Sequence, residues 1–425
     1  MVMGTMVSED YKQTEVGVIP KEWNLKKFED VLTGFSSGAT PYRSNSDYYN
    51  GDIRWITSGE LNYNVINDTI EKITKEAVKK TNLKILPKGT FLIAITGLEA
   101  KGTRGSCGIV GKESTTNQSC MALFPTKELL IDYLFHYYVN YGDSLALEYC
   151  QGTKQQSYTG TIVKKLPIVL PPLPEQQAIA EALSDVDVLL TSLEQLIAKK
   201  RNIKQGTMQH LLTGKKRLPG FTGKWEEKKL GDICNYQNGS SIEKYFNNDD
   251  GFKVVSIGNY SSEGRYIENQ TFIDRGIEKL IKRFILNKND LTMILNDKTS
   301  NGTIIGRVLL IKESGKYVFN QRTMRLAPSN DIFPLFLYYK INSDEVHNLI
   351  VGLAKPGTQI YVNTNDILEL AMVFPKTIEE QKAIAQILSD IDAEIEALEQ
   401  KRDKYNAIKQ GMMQELLTGR VRLRV

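Results

Sequence analysis

The segment Glu175–Leu218 aligns without a gap on Glu380–Leu423, an offset of 205, and more than half of its 44 positions are identical. The match runs from Ala178-Ile179-Ala180 with Ala383-Ile384-Ala385 to Leu211-Leu212-Thr213-Gly214 with Leu416-Leu417-Thr418-Gly419. Whatever one copy folds into, the other folds into as well. Each copy reads as one long helix. Ile179, Leu183, Val186, Leu190, Leu193 and Ile197 follow alternating steps of four and three, the seam of a coiled coil, and Ile384, Leu388, Ile391, Ile395 and Leu398 repeat it. Pro174 sits in the first turn of the first helix, Thr377-x-x-Glu380 forms a capping box before the second, and Gly214 and Gly419 end them. A helix of about 38 residues spans roughly 57 Å. Two matched seams predict that the helices pair with each other.

The regions ahead of the helices repeat more faintly. Trp23-x-x-Lys26-Lys27 corresponds to Trp225-x-x-Lys228-Lys229, Asn117-Gln118 to Asn320-Gln321, and Gly152-Thr153 to Gly357-Thr358. Short β-branched and aromatic runs such as Thr90–Ile95 and Lys253–Ile257 lie among Gly and Asn turns, which predicts mixed α/β (α+β) domains, duplicated. The boundaries read as a first head over 1–172, a central helix over 173–214, a second head over 215–376 and a C-terminal helix over 377–425. Pairing about a pseudo-twofold axis predicts antiparallel helices with a head at either end, a dumbbell.

With 425 residues, 41% hydrophobic and 24% charged, the chain has the composition of a multidomain globular protein. No apolar run reaches membrane length and the start lacks a signal-peptide pattern, so a cytoplasmic location is expected. Four cysteines and three histidines are scattered without metal-ligand spacing, so neither disulfides nor a metal site is expected. The net charge of +4 permits nucleic-acid binding without announcing it. The phosphate loop, the Gly-x-Ser-x-Gly elbow and the His-Glu-x-x-His motif are all missing, and no catalytic residue is assigned.

Polar, glycine-rich loops at matching places carry the remaining chemistry. In the first head they hold Lys101, Arg104, Gln118, Lys154, Gln155, Gln156 and Tyr158. In the second they hold Asn296, Lys298, Arg307, Gln321, Arg322, Lys355, Gln359 and Tyr361. Arg and Lys suit guanine edges and phosphate, Asn and Gln suit adenine, and glycines allow close approach of backbone. These residues are the candidate DNA contacts.

The run Pro171-Pro172-Leu173-Pro174-Glu175-Gln176-Gln177-Ala178-Ile179-Ala180, the later Lys204-Gln205-Gly206 and Leu211-Leu212-Thr213-Gly214, and their second copies resemble the conserved regions of the DNA-specificity subunit of type I restriction-modification systems. Gly38-Ala39-Thr40-Pro41 resembles the start of a first target-recognition domain. The resemblance implies a non-catalytic chain with two target-recognition domains, an antiparallel helical spacer and a bipartite, asymmetric DNA site. It implies assembly with two methyltransferase subunits and two ATP-dependent restriction/translocase subunits. S-adenosylmethionine, ATP and Mg would then belong to those partners, with no cofactor on this chain. Leu211, Leu212, Leu416 and Leu417, beyond the regular seam, are the expected docking residues for the methyltransferase subunits. The second head departs from the pattern: Gly239-Ser240-Ser241-Ile242-Glu243 lacks the Thr-Pro, and its loop at Asn296 is two residues shorter. A stand-alone DNA-modifying enzyme with diverged motifs, or a coiled-coil scaffold without sequence readout, are the alternative classes.

Overall fold

The computed structural model describes residues 9–150, 156–299, 301–355 and 359–423. The chain forms two compact units, Met1–Leu193 with Lys401–Val425 and Glu194–Gln400. A division along the repeat keeps each long helix whole, whereas the compact units cut both helices near the middle. The reason is that the end of each repeat packs on the head that begins the other. Leu416 and Leu417 lie in the core of unit one with Trp23, Ile179 and Leu183, and Leu211 and Leu212 lie in the core of unit two with Leu230, Ile384 and Leu388.

Both heads are mixed α/β, as expected. In unit one a five-stranded sheet orders Leu32–Ser37, Cys120–Pro125, Phe91–Ala94, Cys107–Val110 and Asn64–Ile66. In unit two the corresponding sheet orders Cys234–Asn238, Thr323–Pro328, Leu291–Ile294 and Val308–Leu310. A second sheet in each contains one parallel pair, Ser114–Thr116 on Ile53–Ile56 and Tyr317–Phe319 on Phe252–Val255. The segment after each repeated tryptophan also pairs alike, Asn24–Lys27 with Pro167–Leu170 and Glu226–Lys229 with Ala371–Phe374. The faint sequence repeat thus recurs in the strand order of both heads, with five strands in the first main sheet and four in the second.

The two long helices span Leu173–Leu211 and Ile378–Leu416, 39 residues each. Gly214 and Gly419 follow them at φ +71°, the left-handed turn that ends a helix most cheaply with glycine. The seam has two jobs. Its first turns, Ile179 and Leu183 or Ile384 and Leu388, pack into the core of their own head, and only the later positions are left for pairing between helices. In unit two Lys200 pairs with Glu394 and Lys204 with Asp392 at 2.7 Å, so partner numbers fall as numbers rise and the helices run antiparallel. Unit one holds the repeat-equivalent pair, Lys409 with Asp187 at 2.5 Å.

Each repeat junction is closed by a buried carboxylate. In unit one Glu175, 5% exposed, accepts from Trp23 Nε1 at 2.8 Å and from Arg422 Nε and Nη2 at 2.6 and 2.9 Å. In unit two Glu380 accepts from Arg217 Nε and Nη2 at 2.6 and 2.7 Å and from Trp225 Nε1 at 3.3 Å. Glu380 therefore secures the tail of the first repeat, where the sequence suggests a capping box. The neighbouring glutamines match too: Gln176 holds Leu130 N, Glu128 O and Pro171 O, and Gln381 holds Phe333 N, Asp331 O and Pro375 O.

His136, 1% exposed, meets Ser184 Oγ through Nε2 at 3.0 Å and lies 4.0 Å from Asp187 through Nδ1. The grouping has the residue types of a catalytic triad, but its imidazole is buried while Ser184 and Asp187 are half-buried. Burial holds the imidazole down to about 4 from its ordinary 6.5, outweighing the attraction of Asp187, whose charge Lys409 engages. The sign is that of a depressed folded pKa. The unfolded chain takes up a proton below pH 6.5 and the native one does not, so stability is lost as pH falls from 6.5 towards 4. Thermal unfolding across that window should show a shallower decline for His136→Gln than for the unaltered chain; an identical decline would remove His136 from the account.

Candidate nucleic-acid interface

The candidate loops converge at the end of one strand in each head. In unit one the strand Phe91–Ala94 runs into Ile95, whose N–H donates to Ser119 O and whose carbonyl accepts from Tyr158 N, each at 2.9 Å. Thr96 bridges to Ser157, and Leu98 N donates to Gln156 O at 3.1 Å. In unit two the strand Leu291–Ile294 runs into Leu295, whose N–H donates to Arg322 O at 2.9 Å and whose carbonyl accepts from Val362 N at 3.0 Å. Asn296–Asp297 then pairs with Ile360–Tyr361. Three segments distant in sequence are thereby tied into one surface, by the same backbone bonds in both units. The side chains they carry differ.

The start of each head joins the same surface. Gly38 N donates to Cys120 O at 3.4 Å and Gly239 N to Thr323 O at 2.8 Å. A Cβ on Gly38 would stand 1.9 Å from Thr116 O and one on Gly239 1.7 Å from Asn320 O, so only glycine fits either crossing. The missing Thr-Pro therefore leaves the second head's geometry intact. Thr40 donates to the Gln118 side-chain oxygen, which orients an otherwise exposed amide.

The loop residues do not share one fate. Lys101 and Gln118 in unit one, and Lys298, Arg322, Lys355 and Tyr361 in unit two, are exposed. Arg104 is half-buried and held by Asp143 at 2.6 Å. Gln156, Asn296, Gln321 and Gln359 are half-buried. Lys355 lies 3.5 Å from Asp366. Arg322 adopts φ +70°, a left-handed conformation that costs a non-glycine residue roughly 1–2 kcal/mol, while its carbonyl pins Leu295. Lys154 and Gln155 lie outside the described residues.

Six assignments need correction. Tyr158 is 3% exposed, and its backbone counterpart Val362 is a core residue at 4%, so its ring packs the interior and cannot reach DNA. Arg307 is 8% exposed and donates from Nη1 to Asn342 O at 2.7 Å, below the loop surface. Leu211, Leu212, Leu416 and Leu417 are buried in the head cores and offer no docking surface; their apolar character serves attachment of each repeat's end.

Two features escaped the sequence reading. In unit one Arg43 stacks its guanidinium over Tyr49 and Trp55 at 4.5 and 4.9 Å while Glu71 clamps it at 2.6 and 2.9 Å, beside Tyr42, which is 71% exposed. Glu71 lies 28 residues from Arg43, with no local spacing to signal the contact. The second is a face shared by the long helices. Lys199, Ile203 and Gly206, at i, i+4 and i+7, recur as Lys404, Ile408 and Gly411. The isoleucines are 45% and 39% exposed, and a Cβ on either glycine would meet open space. Identity between the copies at exposed positions was the available signal.

The family described as Type I restriction modification DNA specificity domain matches residues 20–205 and 222–409. The type I restriction enzyme MjaVIII specificity subunit of Methanocaldococcus jannaschii is 24% identical over 100% of this chain and 99% of its own length. The MjaIX specificity subunit of the same organism is 30% identical over 66% of this chain and 68% of its own. Among solved structures, the type I restriction-modification S subunit from M. genitalium superposes with a TM-score of 0.61 at 16% identity, over 93% of this chain and 96% of that one, which shows a shared fold. Among the described residues no helix is long and apolar enough to cross a membrane. Two family domains, each built around the same strand end and joined to its own long helix, make this chain a member of the type I restriction-modification DNA-specificity family, a specificity subunit and not a catalytic one.

Proposed function

We propose that each head reads one half of a bipartite, asymmetric double-stranded DNA site, and that the length of the two long helices sets the gap between the halves. The observation that supports this is the three-segment surface built by identical backbone bonds in both units but carrying different side chains. Such a pair of surfaces approaches two targets alike and distinguishes them by side chain. In the first head Gln118 is the base reader and Lys101, exposed on the loop after the strand Phe91–Ala94, meets phosphate; in the second Arg322 and Gln359 read while Lys298 and Lys355 meet phosphate.

The Lys199-Ile203-Gly206 face and its copy at Lys404-Ile408-Gly411 suit docking of two copies of one partner, a methyltransferase subunit. An exposed isoleucine supplies apolar contact, and an unobstructed helical glycine lets a partner helix come close. Two restriction/translocase subunits complete the assembly, and S-adenosylmethionine, ATP and Mg reside on those partners.

Changing Gln118 or Arg322 to Ala should each weaken specific duplex binding by about 1–3 kcal/mol and relax preference at one base pair, as loss of a bidentate base contact does. Binding of the complex to its methylated-site sequence, and to variants of each half, measures this. Loss spread equally over both halves from one substitution would contradict separate readout.

A further inference from the structure

Unit two contains a cleft of about 620 Å³, within the range of about 300–1,000 Å³ typical of small-molecule sites. At its base lies Arg307, more than nine-tenths buried. Its Nη1 is taken by the Asn342 carbonyl, its Nε has no partner, and among the described residues no carboxylate oxygen lies within 4 Å of it. A buried guanidinium is costly, and Asp344 and Glu263 offset its charge only from beyond ion-pair distance, which leaves the Nε edge without a bonded partner. Of the carboxylates lining the cleft, Asp344 accepts from Gln205 at 2.7 Å and Glu263 pairs with Arg265 at 3.3 Å; Glu345 lines it too. Lys215 adds an exposed cation and Tyr338 an aromatic ring.

The first head provides an internal comparison. Ile294 N donates to Arg307 O as Ala94 N donates to Ser106 O, so a buried serine occupies the position that Arg307 takes in the second head. The fold does not require an arginine there. The Nε edge of a guanidinium is the edge that grips an oxyanion, and Lys215 adds an exposed cation to a rim that also carries Glu263, Asp344 and Glu345.

We propose that this cleft binds a small phosphate-bearing molecule of mononucleotide size, its phosphate on Arg307 and its remainder between Tyr338 and Lys215. The site is independent of the DNA-reading surface. The test titrates the purified full-length chain, without DNA, with AMP and with inorganic phosphate at constant ionic strength, read by calorimetry and thermal unfolding. Saturable AMP binding with a raised Tm is expected, and inorganic phosphate should compete for the same site. Arg307→Ser, which installs the first head's residue, should weaken AMP at least about tenfold, whereas Arg104→Ser should leave it unchanged. If Arg307→Ser fails to fold, Lys215→Glu at the exposed rim should still weaken AMP severalfold. Absence of saturable binding up to about 10 mM, protection by duplex DNA alone, or binding indifferent to both Arg307→Ser and Lys215→Glu would overturn the proposal.

Discussion

A chain ending at Pro219 should assemble as a homodimer. Two ion pairs that close one unit across the repeat have partner pairs in the other at an offset of 205: Glu175 with Arg422 and Glu380 with Arg217, Asp187 with Lys409 and Asp392 with Lys204. The first repeat therefore contains both halves of each pair, Glu175 with Arg217 and Asp187 with Lys204. It also contains Met208, Leu211, Leu212, Gly214 and Leu218, each identical to the residue that the second repeat supplies to unit one. Left alone, a first repeat exposes Leu211 and Leu212 and leaves the apolar seat for Leu416 and Leu417 empty, so a second copy buries both sets. Sedimentation should give twice the chain mass, and Arg217→Glu, which sets like charges against Glu175, should abolish the dimer. A stable monomer with both leucines in water would contradict the account.

Glu175→Ala should destabilise unit one by about 3 kcal/mol, the lower end of the cost of removing one partner from a buried ion pair. Trp23 Nε1 loses its acceptor in the core, while Arg422, whose side chain keeps 27% exposure, recovers part of its solvation and limits the damage. Arg422→Ala alone should cost less, and the double variant should cost less than the sum of the two, because the contacts converge on one carboxylate. Denaturant unfolding measures all three. Simple additivity would mean that the bidentate bond contributes nothing beyond packing.

Much of the fold was legible because duplication doubles every signal. The long helices, their proline and glycine ends and the shared topology of the heads all follow from residues that recur in register. Convergence of the loops was legible for the same reason, since matching segments with different side chains mark a common frame with varied contents. Burial was not legible. Tyr158 and Arg307 sit in polar loop sequence, yet backbone bonds to Ile95 and Ile294 draw them beneath the surface, and nothing local distinguishes them from Gln118. Leu211 and Leu416 leave the heptad seam, which points to docking of a partner; they leave it to enter the core of the head that begins the other repeat. The Glu175 and Glu380 junctions depend on arginines in the other repeat, a distance no local pattern spans.

On the proposed function, each head carries its own half of the recognised sequence. The direct measurement replaces residues 20–172 with the equivalent head of a relative that methylates a different site, and maps the methylated sequences in cells supplying the partner subunits. One half-sequence should change to the donor's, the other should stay, and the gap between them should be unaltered, because the helices are untouched. Change in both halves, or in neither, would contradict separate readout by two heads.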